Sequence, residues 1–445
     1  MNLRGEYMNS RRDFLKKAAL GTAGLVVGLN AKSYARILGA NERVNFGIIG
    51  LHGRGYAHLE CLSQNKGAYV SHVCDVDRHE LDKFALETGK LYNNDPVAEK
   101  DFRKILESKD VDAITIATPE HWHTPMAIMA LQAGKHVYVE KPSSHNPREG
   151  ELLVQAQKKY GKFVQLGNQQ RSSAHTIDII TKIHNGLIGK PYFGKCWYSN
   201  TRKSIGVGKA VPVPDFLDWD LWQGPAPRRP YKDNIHPYNW HWFWNWGTGE
   251  TLNNGTHEVD VCRWALGLKY PNTVSASGGR YHFKDDWEFY DTLVTSFEYD
   301  DAMITWECKS CEGQGYFGRD RGATIHGTDG TVLIDRGGYV VYDLAGKQIT
   351  EVKAEKRSST QDLRSVDDMT TKHFENLINA IRDGEKLRSP IEEGNISVTM
   401  LLLSNIAWKH NRVLHLDRET AHIINDPGAM SMWGREYEKG WEPKT

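Results

Sequence analysis

The chain has 445 residues, with 56 Lys plus Arg against 56 Asp plus Glu, so its formal net charge is zero. That length leaves room for two or three domains around a large core, and the balanced charge gives no electrostatic drive toward nucleic acid or an anionic membrane surface. Six scattered cysteines are too few for a disulfide framework in a chain this size.

Residues 1–40 read as an export signal and linker. Ser10-Arg11-Arg12-Asp13-Phe14-Leu15-Lys16 is a twin-arginine motif, followed by a short apolar stretch at 18–29. The stretch is too short and too Gly-rich to span a bilayer, so it reads as a signal h-region and no stable membrane insertion is expected. Ser33-Tyr34-Ala35 offers a small-x-small cleavage site. The twin-arginine route carries folded proteins, which implies a periplasmic protein that loads any cofactor before export.

Residues 41–166 alternate apolar, β-branched runs with helical patterns. Strands are predicted at 44–49, 68–73, 113–117, 136–139 and 163–166, and helices at 56–63, 79–88, 124–133 and 147–159. Near-continuous apolar strands between helices are the mark of a parallel, doubly wound sheet. From 167 to 445 the strands become longer and alternating, at 192–199, 273–280, 291–299, 302–307, 323–326, 331–335 and 339–343. This predicts a large, mostly antiparallel open sheet, and its free face suggests a homo-oligomer, dimer or tetramer. Residues 204–239, rich in Pro, Asp and Trp, read as a long excursion, and two helices at 369–383 and 394–409 close the chain. Cys308 and Cys311 end a strand rather than open a helix, which points to a structural role.

The first strand runs into Gly50-Leu51-His52-Gly53-Arg54-Gly55. Glycines in such a turn let a diphosphate approach the backbone and let the helix pack close to the strand. Gly50 and Gly55 hold the first and third positions of the G-x-G-x-x-G pattern; His52 takes the second, with Gly53 one residue on. The next strand ends at Asp75, whose carboxylate can accept both adenosine ribose hydroxyls and would repel a 2′-phosphate. No Arg follows it directly, so NAD is favoured over NADP. Thr118-Pro119-Glu120-His121-Trp122-His123 and Glu140-Lys141-Pro142 end the next two strands and should surround the same cleft. Gln169-Gln170-Arg171 follows the last strand; the trio reads equally as substrate contacts or as a hydrogen-bond cluster at a domain junction. His121, His123 and Glu120 lack a clear third metal-ligand spacing, so no metal is expected. Trp240, Trp242, Trp244 and Trp246 have period two and would share one face of a strand, mostly as an aromatic core layer, with Trp244 a candidate to stack on a sugar ring.

The glycine turn, the Cys74-Asp75 pair, Thr118-Pro119 with His121 and His123, and especially Glu140-Lys141-Pro142 resemble the Gfo/Idh/MocA oxidoreductase family over about residues 44–415. The twin-arginine signal and Trp-rich insert resemble its exported bacterial subgroup, which acts on sugars. The resemblance implies an N-terminal Rossmann domain, a C-terminal substrate domain and bound NAD contacted by Gly50, His52, Gly53, Arg54, Gly55, Asp75, Thr118, Pro119, His121, His123, Glu140, Lys141 and Gln170. It assigns Lys141 a role at the substrate hydroxyl. It also matches Asn253 and His257 to an Asp-x-x-x-His pattern with the His as acid/base, although this chain has Asn in place of the Asp. Gln169, Arg171, Trp244, Asn253 and His257 are the expected substrate contacts. The expected activity is oxidation of a ring hydroxyl of a sugar or glycoside, or its reverse. The alternative is an NAD-dependent glycoside hydrolase using transient oxidation and elimination. Relatives of that kind are expected to lack the lysine, so Lys141 favours net redox. A third possibility is a sugar-binding protein without activity.

Overall fold

The computed structural model describes residues 43–354 and 367–445. The twin-arginine motif, the apolar stretch behind it and the cleavage site lie outside the described residues.

Six parallel strands form the first sheet: β1 (Val44–Ile49), β2 (Ala68–Cys74), β3 (Val97–Glu99), β4 (Ala113–Ile116), β5 (His136–Val139) and β6 (Val164–Leu166). Their order is β3-β2-β1-β4-β5-β6, so the winding reverses between β1 and β4. Phe46, Ile48, Ile114, Ile116, Val137 and Val139 are fully buried, because helices cover both faces of the sheet. Those helices are α1 (Arg54–Ser63), α2 (Arg78–Tyr92), α3 (Phe102–Glu107), α4 (His123–Gln132) and α5 (Pro147–Tyr160). Local chemistry sets their starts. Asp77 accepts the His79 and Glu80 amides ahead of α2, and Asn146 accepts the Glu149 amide ahead of Pro147, a residue already shaped for a first helical turn. The pattern reading does not find β3, an exposed edge strand with no apolar run, or α3, which is too short to show a helical period.

The second sheet has ten strands among the described residues. They are β7 (Pro191–Thr201), β8 (Thr273–Gly279), β9 (Thr292–Glu298), β10 (Met303–Lys309), β11 (Cys311–Glu312), β12 (Arg321–Gly327), β13 (Gly330–Asp335), β14 (Gly338–Asp343), β15 (Gln348–Lys353) and β16 (Leu414–His415). All its pairings are antiparallel except β7 with β10. Alternation is clean in β9 and β10: Leu293, Thr295, Phe297, Ile304, Trp306 and Cys308 turn inward. In chain order α6 (Ala174–His184), α7 (Trp219–Gln223), α8 (Gly249–Leu266), α9 (Asp368–Asp383) and α10 (Ile391–His410) complete the fold. α8 packs on β7, β10 and β12, and α10 packs on β8.

Two features depart from the sequence reading. The tryptophan run 240–246 is not a strand. Asn239–Trp242 is a single 3-10 turn, and the amides of Trp246 and Gly247 fold back onto the Phe243 carbonyl. Each indole follows a different neighbour: Trp242 stacks on Trp287 at 3.9 Å, Trp244 lies on Phe289 at 4.1 Å, and Trp246 joins Trp219 and Trp222. Packing these rings against partners distant in sequence outweighs the local alternation.

The second departure concerns α9. Although it lies far beyond residue 166, it packs on the first sheet: Phe374 stacks on Tyr138 at 4.3 Å and meets Phe46 edge-on at 6.4 Å. The nucleotide-binding layer is therefore completed by a helix from the second segment. Phe374→Ala should destabilise the protein by about 3–5 kcal/mol in urea unfolding, whereas a helix merely resting on the surface would lose well under half of that.

Candidate active site

The cleft opens where the carboxyl ends of β1 and β4 diverge, the position at which open α/β sheets bind ligands. It is a cavity of about 730 Å³ closed on the far side by α8 and by the insert that precedes it.

Gly50 and Gly55 shape one end. Gly50 has φ of 88°, and a Cβ there would lie 2.6 Å from the Ala117 and Thr118 backbone. A Cβ on Gly55 would lie 2.3 Å from the Gly50 carbonyl oxygen, so both positions exclude any side chain. Gly50, His52, Gly53 and Arg54 line the cavity; Gly55 is buried beneath the turn. Asp75 also lines it. Its carboxylate accepts the Leu51 amide at 2.7 Å and the Asp77 amide at 2.9 Å, which fixes its aim. Burial pushes the Asp75 carboxyl above its ordinary value, against the pull of His52 and those amides. For His52, burial is outweighed by Asp77 and Asp75, so its imidazole is raised and holds a proton more readily. The arrangement fits an adenosine diphosphate: a side-chain-free turn, an aimed carboxylate for ribose and, at the second turn position, an imidazole whose hold on a proton is strengthened.

The other end is organised by Glu140, which is buried at the end of β5. Arg54 Nε donates to its Oε1 at 2.7 Å, His58 Nε2 lies 3.0 Å away and Gln169 Nε2 donates at 3.3 Å. Burial pushes Glu140 up, but Arg54 and His58 outweigh it and hold the carboxylate well below its ordinary value. Arg54 and Gln169 line the cavity, yet both spend side-chain hydrogen bonds on Glu140.

Lys141 follows directly. Its Nζ donates to the Asn253 carbonyl at 2.7 Å and to Asn253 Oδ1 at 3.1 Å. Burial lowers the Lys141 ammonium from its ordinary value, against Glu140 and Glu120, which raise it. Asn253 and His257 are one helical turn apart on α8 and both face the cavity. Burial, with Arg336, Arg321 and Lys141 nearby, holds His257 well below its ordinary value, so the ring is neutral; its Nδ1 has no partner. Thr118, Pro119, His123 and Gln170 also line the cavity. The two His123 ring nitrogens lie 2.6 Å from the Pro142 carbonyl and 2.9 Å from that of Thr118, tying the ends of β4 and β5 together.

Besides Gly55, three expected site residues lie outside the cavity lining. His121 Nε2 lies 3.0 Å from the Trp222 carbonyl, and burial together with Arg435 lowers the ring to about 3. Arg171 donates to Asp260 at 2.6 and 3.0 Å, buried between the two sheets' elements, which corresponds to the domain-junction alternative. Trp244 is taken up by Phe289 and Trp408. In each case a partner distant in sequence claims the side chain.

The pattern reading put Glu120 at the cleft without a role and did not single out His236. Glu120 is 1% exposed and lines the cavity with one oxygen, Oε1, unpartnered, while Thr248 donates to Oε2. Burial pushes its carboxyl up to about 7, against the opposing effects of Thr248 and Lys141. The signal was its place two residues after Thr118, where a strand end meets the cleft. His236, from the insert, meets His52 edge-on at 5.3 Å, and Asp77 Oδ2 lies 3.4 Å from His52 and 3.8 Å from His236. This trio, rather than His121 and His123, is where ligand-type atoms converge among the described residues, within 4.8 Å of one another.

Comparison with known proteins adds an independent line. Residues 44–168 match the model of the oxidoreductase family's NAD-binding Rossmann fold, and residues 222–333 match the GFO/IDH/MocA C-terminal domain. The chain belongs to the GFO/IDH/MocA oxidoreductase family. Within it, a Saccharopolyspora erythraea protein named glycosyl hydrolase family 109 protein is 34% identical over 220 residues, 45% of this chain and 48% of that one. An alpha-N-acetylgalactosaminidase of Shewanella oneidensis is 27% identical over 208 residues, 42% of this chain and 45% of that one. The chain thus spans about half the length of the relatives it matches. Among solved structures, the WlbA dehydrogenase of Bordetella pertussis, in complex with NADH and UDP-GlcNAcA, has a TM-score of 0.62 at 21% identity, covering 84% of this chain and 99% of that one. The aldose-aldose oxidoreductase of Caulobacter crescentus has a TM-score of 0.62 at 18% identity, covering 84% of this chain and all of that one (100%). These structures share the fold.

The Glu120 carboxyl yields a pH signature. Its folded-state pKa is about 7 against an ordinary 4.5, so the folded chain holds this proton to higher pH than the unfolded chain does. The resulting cost to stability is absent below the lower value, grows between the two and is complete above the higher one. Glu120→Gln removes it, so the melting-temperature advantage of the variant should widen as pH rises from about 5 to about 8. An advantage independent of pH in a thermal scan would refute the raised carboxyl.

Proposed function

We propose that the protein is an NAD-dependent oxidoreductase that acts on a ring hydroxyl of a sugar or glycoside, in the direction of the keto sugar or its reverse. The observation that carries this is the Lys141 ammonium at the end of β5, anchored on Asn253 at 2.7 and 3.1 Å inside the cavity beside the nucleotide-binding turn. Bound NAD supplies the hydride acceptor at the carbon bearing the hydroxyl. The residues of the chain handle the proton. The Lys141 ammonium, lowered by burial, first gives up a proton to ionised Glu120, and the amine left behind takes the hydroxyl proton and, protonated again, stabilises the charge that develops there. Asn253 accepts no proton but aims that nitrogen. Neutral His257 hydrogen-bonds a neighbouring hydroxyl. Glu120, the cavity's raised carboxyl, receives that first proton from Lys141 by way of a hydroxyl or water.

The twin-arginine motif supports export in the folded state and a periplasmic location. NAD would then be resident, reset by a second substrate or an electron acceptor. The insert supports retention, because it straps across the adenosine end. Arg78 N donates to Phe216 O at 2.9 Å and Asp218 N to Val76 O at 3.0 Å, and Lys100 pairs with Asp218 at 2.8 Å. The broad second sheet supports a homo-oligomer, dimer or tetramer.

A second reading, hydrolysis of a glycoside through transient oxidation and elimination, is favoured by the names of the two relatives described above. Lys141 favours net redox, and product analysis separates the two: released aglycone without a keto sugar would decide for hydrolysis.

Denaturing the purified protein should release NAD, identified by mass. Asp75→Ala should weaken its retention by about 10–100-fold, the worth of a charge-assisted hydrogen bond or two; undiminished NAD content would remove Asp75 from the site. A panel of mono- and disaccharides should yield a product lacking a hydrogen pair. Lys141→Ala should cut kcat for that product by about 10²–10⁴-fold, and full activity in this variant would refute the assignment.

A further inference from the structure

Four arginines line the cavity: Arg54, Arg202, Arg321 and Arg336. Three are matched by a carboxylate. Arg54 pairs with Glu140 at 2.7 Å, Arg202 with Glu250 at 2.5 Å, and Arg321 with Glu258 through two bonds of 2.8 Å. Arg336, on the turn from β13 to β14, has no carboxylate partner among the described residues, and its Nε is closed off from solvent without a hydrogen-bond partner. Burial and the Arg321 and Arg54 charges push its guanidinium down to about 10, against Glu258 and Asp367, which raise it without pairing with it. A guanidinium stays charged at neutral pH, and a half-buried cation beside another cation, with its Nε shut off from water, is unfavourable until an acceptor fills the space. Its field acts on His257. Arg336 therefore belongs with the Lys141, Asn253 and His257 end, where the substrate hydroxyl is handled.

We propose that Arg336 is the receptor for an anionic substituent of the substrate, so that the sugar taken is an acidic one of the uronic acid class, its carboxylate on Arg336 while a ring hydroxyl faces Lys141. This rests on the carbohydrate reading above. The planar guanidinium presents paired donors that match a carboxylate with two parallel bonds, which a neutral hydroxymethyl group cannot return. The cofactor's diphosphate is a second source of the same anionic chemistry, and the experiment separates the two.

Binding is measured by calorimetry on the NAD-loaded protein, without turnover. The probes are glucuronate, galacturonate and mannuronate, each against its parent hexose, with glucuronamide as an uncharged control of the same shape. At least one uronate should bind about 10–100-fold more tightly than its hexose, as a charge-assisted bond predicts, and glucuronamide should behave as the hexose does. Arg336→Met should abolish the preference while keeping its NAD content, and Arg336→Lys should keep part of it. No preference for any uronate in the parent protein overturns the proposal, and so does a preference that survives in a folded Arg336→Met. Loss of NAD from Arg336→Met assigns the residue to the diphosphate and also overturns it. A uronate preference with no keto product from any sugar upholds the anion site and rejects the oxidoreductase reading instead.

Discussion

The burial of the Glu140 carboxylate is the constraint on which the site depends. A carboxylate taken out of water at the end of a central strand must be matched by cations and donors. Arg54 from the first helix, His58 one turn further on and Gln169 from beyond β6 supply them. Meeting that demand fixes the first helix against β5 and fixes the backbone that leads into Lys141. The same requirement explains why Arg54, which begins beside the diphosphate turn, points away from it. Arg54, which also lines the cavity, thereby braces the residue that precedes Lys141.

Charge matching then divides the cavity wall into settled and unsettled groups. Arg202 with Glu250, Arg321 with Glu258 and, behind the wall, Arg171 with Asp260 are settled, and they hold the helix carrying Asn253 and His257 in place. Lys141, Glu120 and Arg336 are unsettled. None has an ion-pair partner among the described residues, and each has been pushed from its ordinary value by burial. Settled pairs make a rigid frame. Unsettled groups are costly in the free protein and acquire their meaning when a ligand and a proton occupy the space between them.

Much of the frame could be read from the chain. The six-stranded sheet was legible apart from the exposed edge strand β3, because strands buried on both faces are continuous apolar runs and the helices between them carry caps and periods. Gly50, Asp75, Thr118 and Lys141 were legible for the same reason: strand ends in an open parallel sheet converge on one cleft. The tryptophan run, Arg171 and His121 were not. An aromatic ring or a charged side chain goes to whichever partner best buries or neutralises it, and Phe289, Asp260 and the Trp222 carbonyl lie from 45 to 101 residues away.

The sequence by itself determined the layered architecture, the cofactor turn, the carboxylate beside it and the lysine at the cleft, because each follows from local geometry along one strand and its turn. Tertiary structure decided which charged residues are spent on the frame and which remain for the ligand. Only the folded chain brings Glu120 beside Lys141, closes the insert over Asp77 and leaves Arg336 without an ion-pair partner among the described residues, since those outcomes depend on distances between segments that no local pattern encodes.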